Sequence, residues 1–233
     1  MSTGVSIIIP VYNEEELIEK NTERLLEYLG RLTEKHEIIL CDNGSTDDTK
    51  LLGSLLEARY PGRVKFLSLP KKGVVGLAFR QGVKAAKYQN IISMDMDLSV
   101  NLTFIQACMK LLKTNSIVVG SKQVGSQYRP LFRIIASSVY IFLVRLLLGL
   151  SFTDYSMGAK GFRKEDILGY IDKIDKGSAY VIELVYWLKK SGKRITEIPV
   201  VCFDRRKSKF NFLDECLYRL RSLITIWLFK KGK

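Results

Sequence analysis

Val5-Ser6-Ile7-Ile8-Ile9-Pro10-Val11-Tyr12-Asn13-Glu14 is a β-branched run, ended at a proline, that passes directly into polar residues. A continuous apolar run without alternation suits a parallel strand buried on both faces. Working outward, the same unit recurs. Glu37–Cys41 leads into Asp42-Asn43-Gly44-Ser45-Thr46-Asp47, Val64–Leu69 precedes a helical stretch over Val75–Tyr88, and Asn90–Met94 ends at Asp95. Asn13 is placed to cap a helix through Leu29, with Glu14, Glu15 and Glu16 in its positive first turn. Asp47 or Asp48 caps another to about Tyr60, Leu102–Lys113 reads as helix, and Ile117–Ser121 as a fifth strand. Strand and helix thus alternate with short connections, which predicts an α/β fold: a mostly parallel central sheet with helices on both faces. Ligands of such sheets sit beyond the carboxyl ends of the strands. Three polar clusters fall there: Tyr12/Asn13/Glu14, Asp42–Ser45 and Asp95–Asp97.

After residue 121 the rhythm changes. Leu131–Leu148 is a long apolar helix, Asp154–Lys164 a turn-and-strand region, and Ala179–Ser191 a helix. Arg194–Phe203 reads as an edge strand carrying Pro199, Arg205–Lys209 as a basic loop, and Phe212–Phe229 as a final helix. The 233 residues are 47% hydrophobic, enough for a core and too many for a disordered chain. The formal charge of +13 is uneven: residues 1–120 hold 15 Lys/Arg against 14 Asp/Glu, and residues 121–233 hold 22 against 10. Such a field attracts nucleic acid, anionic lipid or phosphorylated substrates. Interleaved exposed aromatics and a known nucleic-acid module are missing, so nucleic acid is not the expected partner. Four cysteines without C-x-x-C spacing fit a reducing compartment, and the single His36 reads as structural.

Asp95-Met96-Asp97 carries the sharpest chemistry. Two carboxylates two residues apart at a strand end can grip one Mg²⁺ or Mn²⁺ ion, which prefers oxygen ligands and leaves positions for a diphosphate. Such an ion stabilises negative charge on a departing nucleotide. The same spacing also suits a solvated loop or helix cap. The Asp42–Asp47 loop can hydrogen-bond a base and ribose, or be an ordinary turn ending in a helix cap.

Taken in order, Val5–Glu14, Asp42–Thr49, Lys72-Gly73, Arg80-Gln81-Gly82, Asp95-Met96-Asp97 and Gly120-Ser121-Lys122 resemble the motifs of family 2 glycosyltransferases. In the second half, Arg133 and Ser137 with Leu147-Leu148-Gly149, then Asp154–Arg163, Glu183-Leu184, Glu197–Val200 and Ser208-Lys209, are similar to polyprenyl- and dolichyl-phosphate sugar synthases. The resemblance spans roughly residues 5–210. It implies a glycosyltransferase-A fold, a Mg²⁺ or Mn²⁺ ion, and inverting transfer of a hexose from a GDP- or UDP-linked donor to a polyprenyl or dolichyl phosphate. Pro10, Tyr12, Glu14, Asp42, Asn43, Lys72, Asp95, Met96 and Asp97 would bind the donor, with Asp95 and Asp97 on the metal. Lys122, Arg133, Arg205, Arg206, Ser208 and Lys209 would hold the acceptor phosphate, and Asp95, Asp97, Arg133 and Arg205 would be catalytic. Three departures are visible. Asn43 replaces a usual Asp, which leaves the base open; Ser99 stands where mannose synthases commonly carry Gln; and the segment from Asp204 to Lys209 is compressed.

On this reading residues 1–121 bind the nucleotide-sugar, and residues 122–210 complete the catalytic domain on the acceptor side. In the helix over 131–148, Arg133, Ser137, Ser138 and Arg145 share one arc. In 211–233, Asp214, Glu215, Arg219, Arg221, Ser222 and Thr225 lie opposite Leu213, Leu217, Leu220, Ile224 and Trp227. Both suit amphipathic helices lying in a membrane interface, or core and oligomer contacts. No stretch of about 18 uncharged apolar residues is present, and the first apolar run lacks a basic leader. The expectation is therefore a peripheral enzyme on the cytoplasmic face, possible as a homo-oligomer. A soluble glycan or other non-lipid acceptor is the alternative.

Overall fold

The computed structural model describes residues 4–69, 74–127, 131–155, 158–202 and 212–231. The first half builds β1 (Val5–Val11), α1 (Ile18–Leu32), β2 (His36–Asp42), α2 (Thr49–Arg59), β3 (Val64–Ser68), α3 (Val75–Ala85), β4 (Asn90–Ser93) and α4 (Thr103–Leu111). The second adds β5 (Ile117–Gln127), α5 (Leu131–Leu148), β6 (Lys160–Arg163), α6 (Lys164–Ile167), α7 (Tyr180–Lys190), β7 (Ile195–Cys202) and α8 (Phe212–Lys231). One seven-stranded sheet runs in the order β3-β2-β1-β4-β6-β5-β7. β1, β2, β3 and β4 pair in parallel, as do β5 and β7. β6 lies between β4 and β5 and is antiparallel to both.

The unbroken strand runs follow from burial on both faces. Ile8, Ile39, Ile91, Val119 and Phe162 face one apolar cluster with Phe79, Val83, Val144, Val185 and Leu223. Ile7, Ile9, Ile38, Leu40, Ile92 and Val118 face a second with Leu25, Leu29, Leu56 and Ile105. Complete burial of one such side chain contributes about 1.5–3 kcal/mol. α8 enters the first cluster through Leu223 and Ile226. His36 is buried, with Nδ1 2.7 Å from the Thr33 carbonyl. Cys41, Cys108 and Cys202 are buried free thiols, and burial pushes Cys41 up to about 12.

Several expectations are corrected. β1 does not stop at Pro10 but continues to Val11, with Pro10 opposite Cys41. Asn13 caps no helix: α1 begins at Ile18, and Asn13 has a left-handed φ of 52°. β5 runs past Ser121 to Gln127, with a register shift between Ser121 and Ser126. β7 is the expected edge strand, with Pro199 opposite Ser121.

The two long helices are also oriented differently from their simple polar arcs. α5 buries Val144 and Leu148 but exposes Leu131, Phe132, Ile135, Val139, Phe142 and Leu146 on the side that also carries Ser138 and Arg145. α8 exposes Leu217, Ile224 and Leu228, while Glu215 and Arg219 are drawn partly inward. A single-helix pattern does not contain the neighbour, and each helix here packs against the other and the sheet.

Two glycine substitutions report on this packing with opposite signs. Gly76 lies directly against the backbone carbonyls of Asp175 and Gly177, so an added methyl has to displace main chain. Gly76→Ala should lower unfolding free energy by about 1–3 kcal/mol. Gly30 lies within α1, where an added Cβ meets nothing within 4 Å. Gly30→Ala should raise it by about 0.4–1 kcal/mol. Urea denaturation of both variants checks the pair.

Candidate functional site

The loops after β1 and β2 are joined by side-chain to backbone hydrogen bonds. The Asn13 N–H donates to Ser45 Oγ at 2.9 Å, and the Thr46 N–H donates to Asn13 Oδ1 at 2.9 Å. The Glu14 N–H reaches Thr49 Oγ1 at 2.7 Å, and the Asp48 N–H reaches Glu15 Oε2 at 2.9 Å. This is why Asn13 adopts the left-handed conformation, which asparagine tolerates better than most residues. Asp42 is fully buried and folds the turn: Oδ1 accepts the Ser45 N–H at 3.0 Å, and Oδ2 accepts the Gly44 N–H at 3.3 Å. Gly44, with φ 78°, supplies the required backbone. Asn43 is buried, and its Oδ1 has no hydrogen-bond partner among the described residues. A buried carbonyl left unpaired costs about 1–3 kcal/mol. Pro10, Tyr12 and Glu14 are half-buried beside it.

The acidic turn follows β4. Met94 and Met96 are buried in the second cluster, which turns Asp95 and Asp97 the other way. The Leu98 N–H closes on the Asp95 carbonyl at 3.1 Å, and Asn21 Nδ2 ties down the Met96 carbonyl at 2.8 Å. Leu98 has φ 48°, a conformation that costs a non-glycine residue about 1–3 kcal/mol. Asp97 Oδ1 accepts the Ser99 N–H at 3.0 Å. Gly158 faces Asp95 so closely that a Cβ there would overlap the carboxylate. No three His, Cys, Asp or Glu side chains gather into a metal cage among the described residues. Two carboxylates at an open turn nevertheless suit a divalent ion whose remaining ligands are diphosphate oxygens and water. Asp95 is exposed and Asp97 half-buried, so both can be reached.

Beside this turn lies a buried charged cluster. Lys160, 1% exposed, opens β6 opposite Ser93 of β4. Burial pushes its ammonium down to about 8, while the charges of Asp154 and Asp95 act in the opposite sense. Lys122 Nζ lies 3.7 Å from Asp154 Oδ2, with both side chains buried. Glu197 of β7 holds this corner, accepting the Asp154 N–H at 3.0 Å and the Thr153 N–H at 2.9 Å. Thr153 Oγ1 lies 2.8 Å from Ser121 Oγ. Arg219 of α8 adds a further positive charge near Lys160 and pairs with Glu215 at 2.6 Å. The Tyr140 hydroxyl is buried without a hydrogen-bond partner among the described residues, and burial raises the pKa values of both Tyr140 and Tyr155.

The expected donor residues Pro10, Tyr12, Glu14, Asp42 and Asn43 thus lie on two interlocked loops, with Asp42 turned inward and the Asn43 carbonyl unpaired. Met96 is a core residue, and its backbone carbonyl is bound by Asn21. Lys122 joins the buried charge cluster near Asp95. Arg133 is on α5, but its side chain lies outside the described residues, as do Lys72, Arg205, Arg206, Ser208 and Lys209. Lys160, Asp154 and Glu197 sit within quoted motifs yet received no role from sequence. The available signal was period two in β6: Lys160 shares a face with Phe162, which is core.

Residues 6–169 match the family model described as Glycosyl transferase family 2. The undecaprenyl-phosphate mannosyltransferase of Micrococcus luteus is 26% identical over 209 residues, covering 86% of this chain and 84% of that protein. The undecaprenyl-phosphate 4-deoxy-4-formamido-L-arabinose transferase of Photorhabdus laumondii is 25% identical, covering 95% of this chain and 68% of that protein. Glycosyltransferase AglD of Haloferax volcanii is 23% identical over 96% of this chain, which spans only 37% of AglD. Among solved structures, glucosyl-3-phosphoglycerate synthase of Mycobacterium tuberculosis with uridine diphosphate superposes with a TM-score of 0.66 at 19% identity. That match covers 99% of this chain and 81% of the synthase. The fold is accordingly glycosyltransferase-A. With the family match extending over more than half of its length, the chain belongs to glycosyl transferase family 2 and is a glycosyltransferase.

Proposed function

We propose that this enzyme transfers a hexose, with inversion, from a GDP- or UDP-linked donor to a polyprenyl or dolichyl phosphate at a membrane surface. One observation carries the reading. Lys122, an expected acceptor-phosphate residue, lies in the same buried cluster as the cations and carboxylates that adjoin Asp95. Opposite charges for two phosphate groups are thereby brought to one corner of the sheet. An oxygen of the acceptor phosphate attacks the anomeric carbon from the face opposite the leaving group. The carbon–oxygen bond to the nucleoside diphosphate breaks, and its electron pair leaves with the diphosphate. The acceptor is already an anion at neutral pH, so no side chain has to remove a proton. The chain's task is to align two mutually repelling anions with fixed charges. Asp95 and Asp97 would hold a divalent ion, which would supply positive charge at the diphosphate. The interlocked loops after β1 and β2 hold the nucleoside, with Asn43 Oδ1 ready to accept a hydrogen bond from the base.

The lipid acceptor draws support from α5. Phe132, Ile135, Val139, Phe142 and Leu146 are each more than half exposed, at spacings of three and four residues that keep them on one stripe. Leu217, Ile224 and Leu228 extend the exposed apolar surface on α8, which contacts α5. No described helix is long and apolar enough to cross a membrane. A stripe of this kind is suited to lying in the interface. Two relatives carry undecaprenyl phosphate in their names. A second reading, a soluble phosphorylated acceptor, is favoured by the structural likeness to glucosyl-3-phosphoglycerate synthase, which has been solved with Mn²⁺, UDP-glucose and phosphoglyceric acid.

Purified enzyme with Mg²⁺ or Mn²⁺, a panel of nucleotide-sugars, and either a polyprenyl phosphate or phosphoglycerate separates these readings by product mass. Glycosylated polyprenyl phosphate is expected; product only on the soluble acceptor selects the second. Asp97→Asn should lower turnover by about 100-fold or more, the scale of losing one preorganised charge contact, with an unchanged circular-dichroism spectrum. Wild-type turnover in that variant removes Asp97 from the reaction. The double substitution Ile135→Ser/Phe142→Ser should weaken sedimentation with anionic vesicles by about tenfold or more, given about 1.5–3 kcal/mol for each buried side chain. Turnover on a short, water-soluble polyprenyl phosphate should stay within about twofold, because the exposed stripe lies outside the charged cluster.

A further inference from the structure

Lys160 is among the largest fully buried side chains of the chain, and hydrophobic burial does not account for it. Two residues further along the same strand face stands Phe162, 0% exposed and in ring contact with Phe79. A methionine or leucine at 160 would continue that core. Replacing buried charge by well-packed apolar groups is often neutral or stabilising by about 1–4 kcal/mol. Retaining an ammonium there calls for another reason, and the register supplies one. Ser93 lies opposite Lys160, so extending the β4–β6 register by two residues brings Asp95 to Gly158, where the missing Cβ makes room for the carboxylate. Lys160, Ser93 and Asp95 therefore share one face of the sheet. Tyr180, whose hydroxyl bonds Ser93, stacks on Phe79 and walls this face from α7.

The charge of Asp154 also acts on Lys160. Glu197 fixes the Asp154 backbone, and the Asp154 carboxylate lies close to the ammonium of Lys122. Lys160 thus shares its sheet face with Asp95, the expected donor-side carboxylate, and feels the charges of both Asp95 and the Asp154–Lys122 pair on the expected acceptor side. We propose that Lys160 is a positioning residue, a buried cation that holds Asp95 and the Asp154–Lys122 pair as one electrostatic unit; this rests on the reading that the chain transfers a sugar to a phosphate. The unit contains two positive and two negative side chains, so its charges balance internally and their mutual placement is stiff. Fixed charge of this kind stabilises a charged transition state without reorganisation.

The test uses the full chain and the variants Lys160→Met, Lys160→Arg, Asp154→Asn and Lys160→Met/Asp154→Asn. Calorimetry with Mn²⁺ and the nucleoside diphosphate of the accepted donor reads the Asp95 side without any acceptor; where no donor is accepted, UDP and GDP are both titrated. Lys160→Met should keep or raise the melting temperature, weaken that binding by about tenfold and lower turnover by about 10- to 100-fold. Lys160→Arg should recover part of both, because the charge is kept. The double variant should lose no more than the worse single variant, as expected for groups acting together. Binding and turnover within twofold of wild type in Lys160→Met overturn the proposal, as do additive losses in the double variant. If Lys160→Met does not fold, Asp154→Asn decides: unchanged binding and turnover overturn the proposal, and the paired losses support it. Failure of the wild type to glycosylate any phosphate acceptor would sink the functional reading alone, since calorimetry still reads Lys160.

Discussion

The antiparallel contact of β6 with β4 is the junction on which the site depends. β4 delivers the acidic turn at its carboxyl end, and β6 runs back alongside it, with Lys160 opposite Ser93 and Gly158 against Asp95. A parallel strand in that position would have carried its own carboxyl end to the same edge. The antiparallel strand instead brings its entry loop, containing Asp154, to the acidic turn. β5 lies on the other side of β6 and supplies Lys122 from beyond its paired residues 117–119. One inserted strand of four residues thereby gives a parallel sheet a site with charges of both signs.

The side of the site formed by the loops after β1 and β2 is stiffened differently. Its loops have few apolar contacts of their own and are held by side chains that satisfy neighbouring backbone groups. Asn13, Ser45, Thr49 and Asp42 all serve in this way. Each such bond contributes only about 0.5–1.5 kcal/mol, but together they cross-link two loops more than thirty residues apart. Among the described non-glycine residues, left-handed backbone occurs at Asn13 and Leu98, both in strand-end turns. Burial of Met94 and Met96 on the opposite face keeps the acidic turn in place despite the cost at Leu98.

Much of this was legible in the residues, and the gaps have physical causes. The strands were visible because burial on both faces demands unbroken apolar runs, and the strand ends then located Tyr12–Glu14, Asp42–Ser45 and Asp95–Asp97 together. The start of α1 was misplaced because Asn13 is chemically suited both to capping a helix and to bridging loops, and the bridge to Thr46 prevails through a partner 33 positions away. The orientation of β6 was hidden because Lys-Gly-Phe-Arg is too short for periodicity to show. Lys160 was overlooked because lysine is ordinarily a surface residue; only its two-residue offset from Phe162 hinted otherwise. Asp42, expected to bind the donor, is also the internal staple of its turn. A carboxylate's partners cannot be read from its type alone.

The packing of α5 and α8 bears on how a membrane acceptor would reach the charges. The inner faces of both helices, through Val144, Leu223 and Ile226, enter the same apolar cluster as Phe162 of β6. Their outer faces carry Phe142, Leu146, Ile224 and Leu228. Between the two surfaces, Arg219 brings positive charge from α8 to Lys160 and Tyr140. The exposed apolar stripe and the buried cations are therefore joined through one rigid core. A lipid surface seated on that stripe would have a defined position relative to Lys122 and Lys160. On the proposed function, a phosphate on a long polyprenol would meet the cations while its chain remains in the apolar phase. On the same reading, positive charge deep in the second half and an exposed apolar helix would serve one substrate: the first would address the headgroup and the second the chain.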